Sequence, residues 1–192
     1  MPTSPGAAQL KKKEEIQVNR MTILAASAAA LAFASPAMAQ DAAAAPAGPR
    51  IEALVGYDRP GTDGFHSSGV LFGVGAGYDV AVGNAVSLGV DLEASDSTAE
   101  KSDVKTGRDL YAGGRVNFAV APKANVYLKG GYTNARFKEE GFGGANFDGF
   151  RVGAGGQYTL GGKAYVGAEY RYSNYELGID RHQVALTLGT RF

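Results

Sequence analysis

The chain has 192 residues with 19 basic and 19 acidic side chains, two histidines and no cysteine. So even a balance argues against a nucleic-acid or other polyanion partner, and the missing cysteines exclude disulfide stapling and thiolate metal centres. The length fits one domain behind a leader.

Lys11, Lys12, Lys13 and Arg20 precede an apolar stretch from Met21 to Phe33, and Ala37-Met38-Ala39 fits the small-x-small cleavage rule. Residues 1–39 are therefore predicted to be an export signal, read by the protease at Ala37 and Ala39, with Gln40 opening the mature chain. The stretch is shorter than the roughly 20 apolar residues of a membrane-crossing helix, and Ser35-Pro36 ends it. Residues 1–20 are long for such a leader, which leaves the translation start open between Met1 and other positions, Met21 being one candidate. Removing residues 1–39 leaves 153 residues with 15 basic and 17 acidic side chains. Residues 40–49 are rich in Ala and Pro and read as an extended linker before a domain at 50–192.

From Arg50 onward the pattern has period 2. In eight runs, 51–57, 70–78, 86–94, 110–118, 126–132, 150–158, 166–172 and 184–192, every second residue is apolar or small, and these 37 positions contain no charge. The other face carries Glu52, Asp58, Asp91, Glu93, Asp109 and Glu169 against Arg115, Lys129, Arg151, Arg171 and Arg191, separated by glycines. Eight one-sided strands predict an all-β, eight-stranded antiparallel up-and-down barrel.

A soluble barrel would turn the apolar face inward. Three features reverse that. Gly73, Gly75, Gly77, Gly153 and Gly155 suit a crowded interior. The connections alternate, with residues 79–85, 119–125 and 159–164 short and residues 59–68, 96–108, 136–148 and 174–181 longer, as in membrane barrels with periplasmic turns and surface loops. Tyr78, Phe118, Tyr158 and Phe192 end the even-numbered strands, while Tyr57, Tyr132, Phe150, Tyr170 and Tyr172 fall at the opposite rim. Two aromatic belts around an aliphatic band match the two interfaces of a bilayer. The expected location is a bacterial outer membrane, with its lipid as the first partner.

Ionised groups on the other face then share a narrow lumen, where Asp91, Glu93, Arg115, Lys129, Arg151, Glu169 and Arg171 are expected to form an ion-pair network. Tyr111, Tyr127 and Tyr165 point the same way and help to plug it. Eight strands leave an interior that side chains just fill, which argues against a wide pore.

Motifs for chemistry fail when tested. In Gly73-Val74-Gly75-Ala76-Gly77 the third fingerprint glycine is replaced by Tyr78 and no helix follows. Gly162-Lys163 resembles the end of a phosphate loop, but Gln157 and Ala164 occupy required positions. His66 and His182 stand far apart in sequence and no cysteine accompanies them, so no metal site and no cofactor are expected. The chain reads as a non-enzyme.

Arg50-Ile51-Glu52-Ala53, Gly77-Tyr78-Asp79, Glu169-Tyr170-Arg171-Tyr172 and the terminal Phe192 together resemble the small eight-stranded outer-membrane barrels, the family of opacity proteins, adhesin and resistance barrels and the transmembrane domain of outer membrane protein A. The resemblance spans residues 50–192. It implies that the barrel-assembly machinery reads the last strand, here through Leu186, Leu188 and Phe192, although Thr190 stands where the family often has an aromatic. It does not carry over peptidoglycan binding. The function expected is envelope support and surface contact as a monomer, with a host, matrix or envelope protein as partner. Phe137, Phe142 and Phe147, among glycines of the 136–148 loop, are the contact candidates. A narrow porin-like channel is the alternative, and a lipid-modifying enzyme the third class.

Overall fold

A strand that is apolar on one face must find an apolar neighbour for it, and a strand in lipid must also satisfy every backbone N–H and C=O within the protein. The computed structural model meets both demands by closing the sheet. It describes residues 43–192 apart from 63–64, 102–103 and 140–142. The expected signal sequence, its cleavage residues and Gln40 lie outside the described residues.

Eight long strands follow one another: β1 (Gly48–Thr62), β2 (Gly69–Ala81), β3 (Val86–Ser97), β4 (Val104–Ala121), β5 (Ala124–Glu139), β6 (Gly143–Gly161), β7 (Ala164–Tyr175) and β8 (Ile179–Arg191). Each pairs antiparallel with the next. β1 returns to β8 in register from Arg50↔Arg191 to Gly61↔Asp180, which closes the barrel and leaves no edge within it. Two-residue strands, Phe65–His66 and Glu100–Lys101, pair with the outer ends of β1 and β4. Among the described residues no helix is long and apolar enough to cross a membrane.

Alternation sorts the side chains. Val90 and Leu92 are 62% and 63% exposed, whereas Asp91 between them is 4% exposed. The outward positions of all eight runs are exposed or half-exposed and the interleaved charges are buried, so the apolar face is the outer one. Inside, glycine makes room for aromatic rings. A Cβ on Gly155 would lie 2.6 Å from the Tyr127 ring, and one on Gly113 or Gly189 would overlap Tyr111 or Tyr165. Leu54, Leu71 and Ala185 form the buried apolar cluster.

The strands run further than the hydrophobic period suggests. β1 begins at Gly48, two residues inside the expected linker, and residues 136–148, expected as a loop, are mostly ladder: Arg136 pairs with Asn146, Phe137 with Ala145 and Glu139 with Gly143. The expected connection 174–181 contracts to the short 3-10 turn Glu176–Gly178. The reason is physical: above the outer girdle no lipid requires an apolar face, so the hydrophobic alternation stops while backbone hydrogen bonding continues. On the periplasmic side the turns are tight. Gly161 pairs with Ala164 across Gly162-Lys163, and Gly162 has φ +56°, a left-handed conformation that glycine adopts without strain.

Candidate functional site

The inward charges gather in three levels. At the periplasmic end, Arg50 Nε donates to Asp79 Oδ2 at 3.0 Å and Arg50 also pairs with Asp91, which accepts from Arg115 Nε at 2.9 Å. Arg191 joins Asp79, and Asn117 Nδ2 donates to Asp79 Oδ1 at 3.1 Å. At mid-barrel, Lys129 Nζ and Arg171 Nε each stand 2.7 Å from Glu169 Oε1, while Tyr127 donates to Glu169 Oε2 at 2.6 Å. Glu93 is shared among Arg171, Arg151 and Lys129. Toward the outer mouth, Arg181 grips Asp58 through Nε and Nη2, both at 2.7 Å, and reaches Asp109 at 2.8 Å. Asp109 also takes Arg151, Thr133 Oγ1 at 2.6 Å and Tyr175 at 2.9 Å.

The seven residues singled out from the alternation, Asp91, Glu93, Arg115, Lys129, Arg151, Glu169 and Arg171, therefore stand together inside the barrel. Seven more complete the set: Arg50, Glu52, Asp58, Asp79, Asp109, Arg181 and Arg191. Arg50, Asp79 and Arg181 escape a reading confined to the apolar runs, because Arg50 and Asp79 lie one inward step beyond a run and Arg181 two. Carrying period 2 two steps further in each direction finds all three. Among the described residues the result is seven cations against seven carboxylates, a balanced set. Desolvated ions are tolerated only when paired, and Tyr165 supplies Glu52 with a hydrogen bond at 2.8 Å. The Arg115 guanidinium lies 4.0 Å from the centre of the Tyr127 ring, a cation–π arrangement.

On the outer surface, above the aliphatic band, two polar clasps repeat one design. Tyr132 and Asn134 of β5 both donate to Asp148 Oδ1, the amide at 2.6 Å. Tyr172 and Asn174 of β7 both donate to Asp180 Oδ1, at 2.6 and 2.8 Å. The Tyr132 hydroxyl and the Asn134 amide hold the exposed Asp148 carboxyl below its ordinary value. Beside the second clasp, the Tyr170 hydroxyl lies 2.7 Å from His182 Nδ1.

Of the contact candidates, Phe137 and Phe147 are ladder residues of β5 and β6, not loop residues, and Phe142 lies outside the described residues. Phe147 is half-buried, on the face that leads into the lumen mouth. Barrel closure sets His182 opposite Arg59 in the ladder, and His66 pairs with Gly61 on the same strand. Among the described residues no group of three or more His, Asp or Glu is placed to hold a metal ion. Leu186, Leu188 and Phe192 face outward, and the Phe192 amide donates to the Pro49 carbonyl at 3.0 Å.

A family model described as outer membrane protein beta-barrel domain matches residues 25–192. Among solved structures, Neisserial surface protein A superposes with a TM-score of 0.59 at 15% identity, covering 75% of this chain and 97% of its own. Ail, the attachment invasion locus protein of Yersinia pestis, gives 0.55 at 18% identity, covering 76% and 99%. The N-terminal β-barrel domain of Pseudomonas aeruginosa OprF gives 0.51 at 13% identity, covering 77% and 100%. At these identities the likeness is one of fold. No curated protein sequence matches the chain.

Proposed function

Because this chain belongs to the outer membrane protein beta-barrel domain family and resides in the bacterial outer membrane, we propose that it is a non-enzymatic barrel that supports the envelope and makes surface contacts through its extracellular hairpins. The observation that carries this reading is the lumen. Among the described residues seven cations are matched by seven carboxylates in an interior only eight strands wide, and tyrosine rings cover the glycines that would otherwise leave space. Paired charges offer ions no open file, which weighs against the narrow-channel alternative and favours the projecting hairpins as the place of activity. In the same reading β8, with Leu186, Leu188 and Phe192, is what the barrel-assembly machinery reads, and the protein works as a monomer.

The partner class is a host, matrix or envelope component. Ail has been solved in complex with the heparin analogue sucrose octasulfate, which makes that compound a first probe alongside matrix proteins. The test replaces residues 137–145 by Asn-Gly, a two-residue turn suited to a hairpin, leaving the Arg136↔Asn146 pair to close the ladder. The barrel should keep its heat-modifiable mobility, and bacteria displaying it should lose attachment to cells, matrix proteins or the sulfated probe. Undiminished attachment sinks the hairpin reading. Planar-bilayer recordings of the intact protein should show no steady conductance, and large stable channels would restore the channel alternative.

A further inference from the structure

The outward charges at the extracellular rim are treated unequally. Asp148 and Asp180 each accept two side-chain hydrogen bonds. Arg59 is exposed and makes no ion pair or side-chain hydrogen bond among the described residues. It stands on the outward face of the β1–β8 seam, directly opposite His182 in the ladder, a placement that brings Cβ atoms to about 4.5–5.5 Å. His182 is exposed as well, and its ring is fixed from two sides. Tyr170 holds Nδ1, and the Tyr172 ring lies 5.1 Å away between centroids. When the phenol donates to Nδ1, the neutral imidazole carries its proton on Nε2, which is then free to donate.

We propose that Arg59 and His182 form a binding site for the phosphate of an outer-leaflet lipid headgroup, with the lipid's acyl chains lying against Tyr57 and Tyr170. The location supports this occupant. Tyr57 is two residues before Arg59 on the same face, pairs with Val184, and is 53% exposed. Arg59 therefore sits one step above the aromatic girdle, at the depth of lipid headgroups. An unpaired guanidinium at that depth matches a phosphate in charge and in its forked donor geometry. The nearby anion is Asp180, two residues beyond His182 on the same face. Its Oδ1 is engaged by Tyr172 and Asn174, and it forms no ion pair with Arg59. This inference concerns the barrel wall and does not depend on the hairpin-contact reading.

The experiment compares the purified protein with Arg59→Gln, Arg59→Lys, His182→Gln and Asp180→Asn, all first checked for heat-modifiable folding. Native mass spectrometry from micelles measures retention of a bisphosphorylated diglucosamine lipid and of the same lipid with both phosphates removed. The wild-type barrel should prefer the phosphorylated lipid, and Arg59→Gln should weaken its retention about tenfold, the scale of one charge-assisted hydrogen bond. Arg59→Lys should lose less, His182→Gln should weaken it as well, and Asp180→Asn should leave retention equal or raised. Equal retention of the two lipids, or no effect of Arg59→Gln, overturns the proposal. A loss in Asp180→Asn as large as in Arg59→Gln overturns it too, because Asp180 would then be what positions the arginine. Displacement of the lipid by millimolar inorganic phosphate would assign the site to free phosphate instead.

Discussion

Tyr132 donates its phenolic hydrogen to Asp148 across the β5–β6 ladder, one step above the outer girdle, and Tyr172 does the same to Asp180 across β7–β8. The two hairpins share more than this bond. Tyr132-Thr133-Asn134 and Tyr172-Ser173-Asn174 run in the same order, and in each the asparagine is the direct ladder partner of the aspartate. Between them Thr133 and Ser173 turn inward, to Asp109 and Arg151 respectively. One tripeptide thus clasps the outer surface of a hairpin and ties it to the lumen network.

The clasp has a pH signature. Hydrogen bonds from Tyr132 and Asn134 favour the charged carboxylate, so Asp148 titrates below its unfolded value of about 3.9. A depressed folded-state value means that the stabilisation is fully present above the unfolded value and is lost as pH falls through the folded one. Carboxyl-carbon NMR of the protein in nanodiscs should place Asp148 below a reference aspartate. Tyr132→Phe should move it back up, and a titration unchanged by that substitution would show the bond to be idle.

Glu93 is the shared anion of the mid-barrel, facing Arg171, Arg151 and Lys129. Glu93→Gln leaves three cations around a neutral amide, and removing one member of a buried ionic cluster costs about 3–5 kcal/mol. Urea unfolding in lipid vesicles should show a loss of that order. A loss below about 1 kcal/mol, the scale of exposed pairs, would mean that water reaches the site and screens it.

Leu92, 63% exposed on the outward face, tests the facing assignment directly. It pairs with Ala76 and Ala112 within the aliphatic band. Leu92→Arg should destabilise the barrel by about 2–4 kcal/mol if it falls near the bilayer midplane, measured by the same unfolding. Labelling of a Leu92→Cys variant by a water-soluble reagent in intact membranes would contradict the lipid-facing position.

Processing of the leader is a separate expectation. Mass spectrometry of the outer-membrane fraction should find a chain beginning at Gln40, following recognition of Ala37 and Ala39 by the signal protease. Retention of Met1 or Met21 in the membrane-inserted protein would rule this out.

The sequence by itself determined the barrel and its facing, because a bilayer imposes its own pattern. Ile51 to Tyr57 and Val184 to Phe192 alternate since one side meets lipid, and rings at both ends of the runs mark the interfaces. The same pattern was silent wherever lipid is absent. Residues 136–148 lost their apolar period above the membrane and so resembled a loop, although the Arg136↔Asn146 and Phe137↔Ala145 pairs continue the sheet. Inward charge was equally legible: a strand set out for lipid hides Asp91, Glu93 and Arg171 by parity alone. Which of them meet was not legible. Glu52 and Tyr165 are 113 positions apart and hydrogen-bonded, and Asp58 and Arg181 are 123 apart and bidentate. Such pairs depend on the register in which β1 closes onto β8 and on the tilt of eight strands around a common axis. Only the closed tertiary structure fixes that register, and with it the pairing of the lumen charges and the seam where Arg59 stands beside His182.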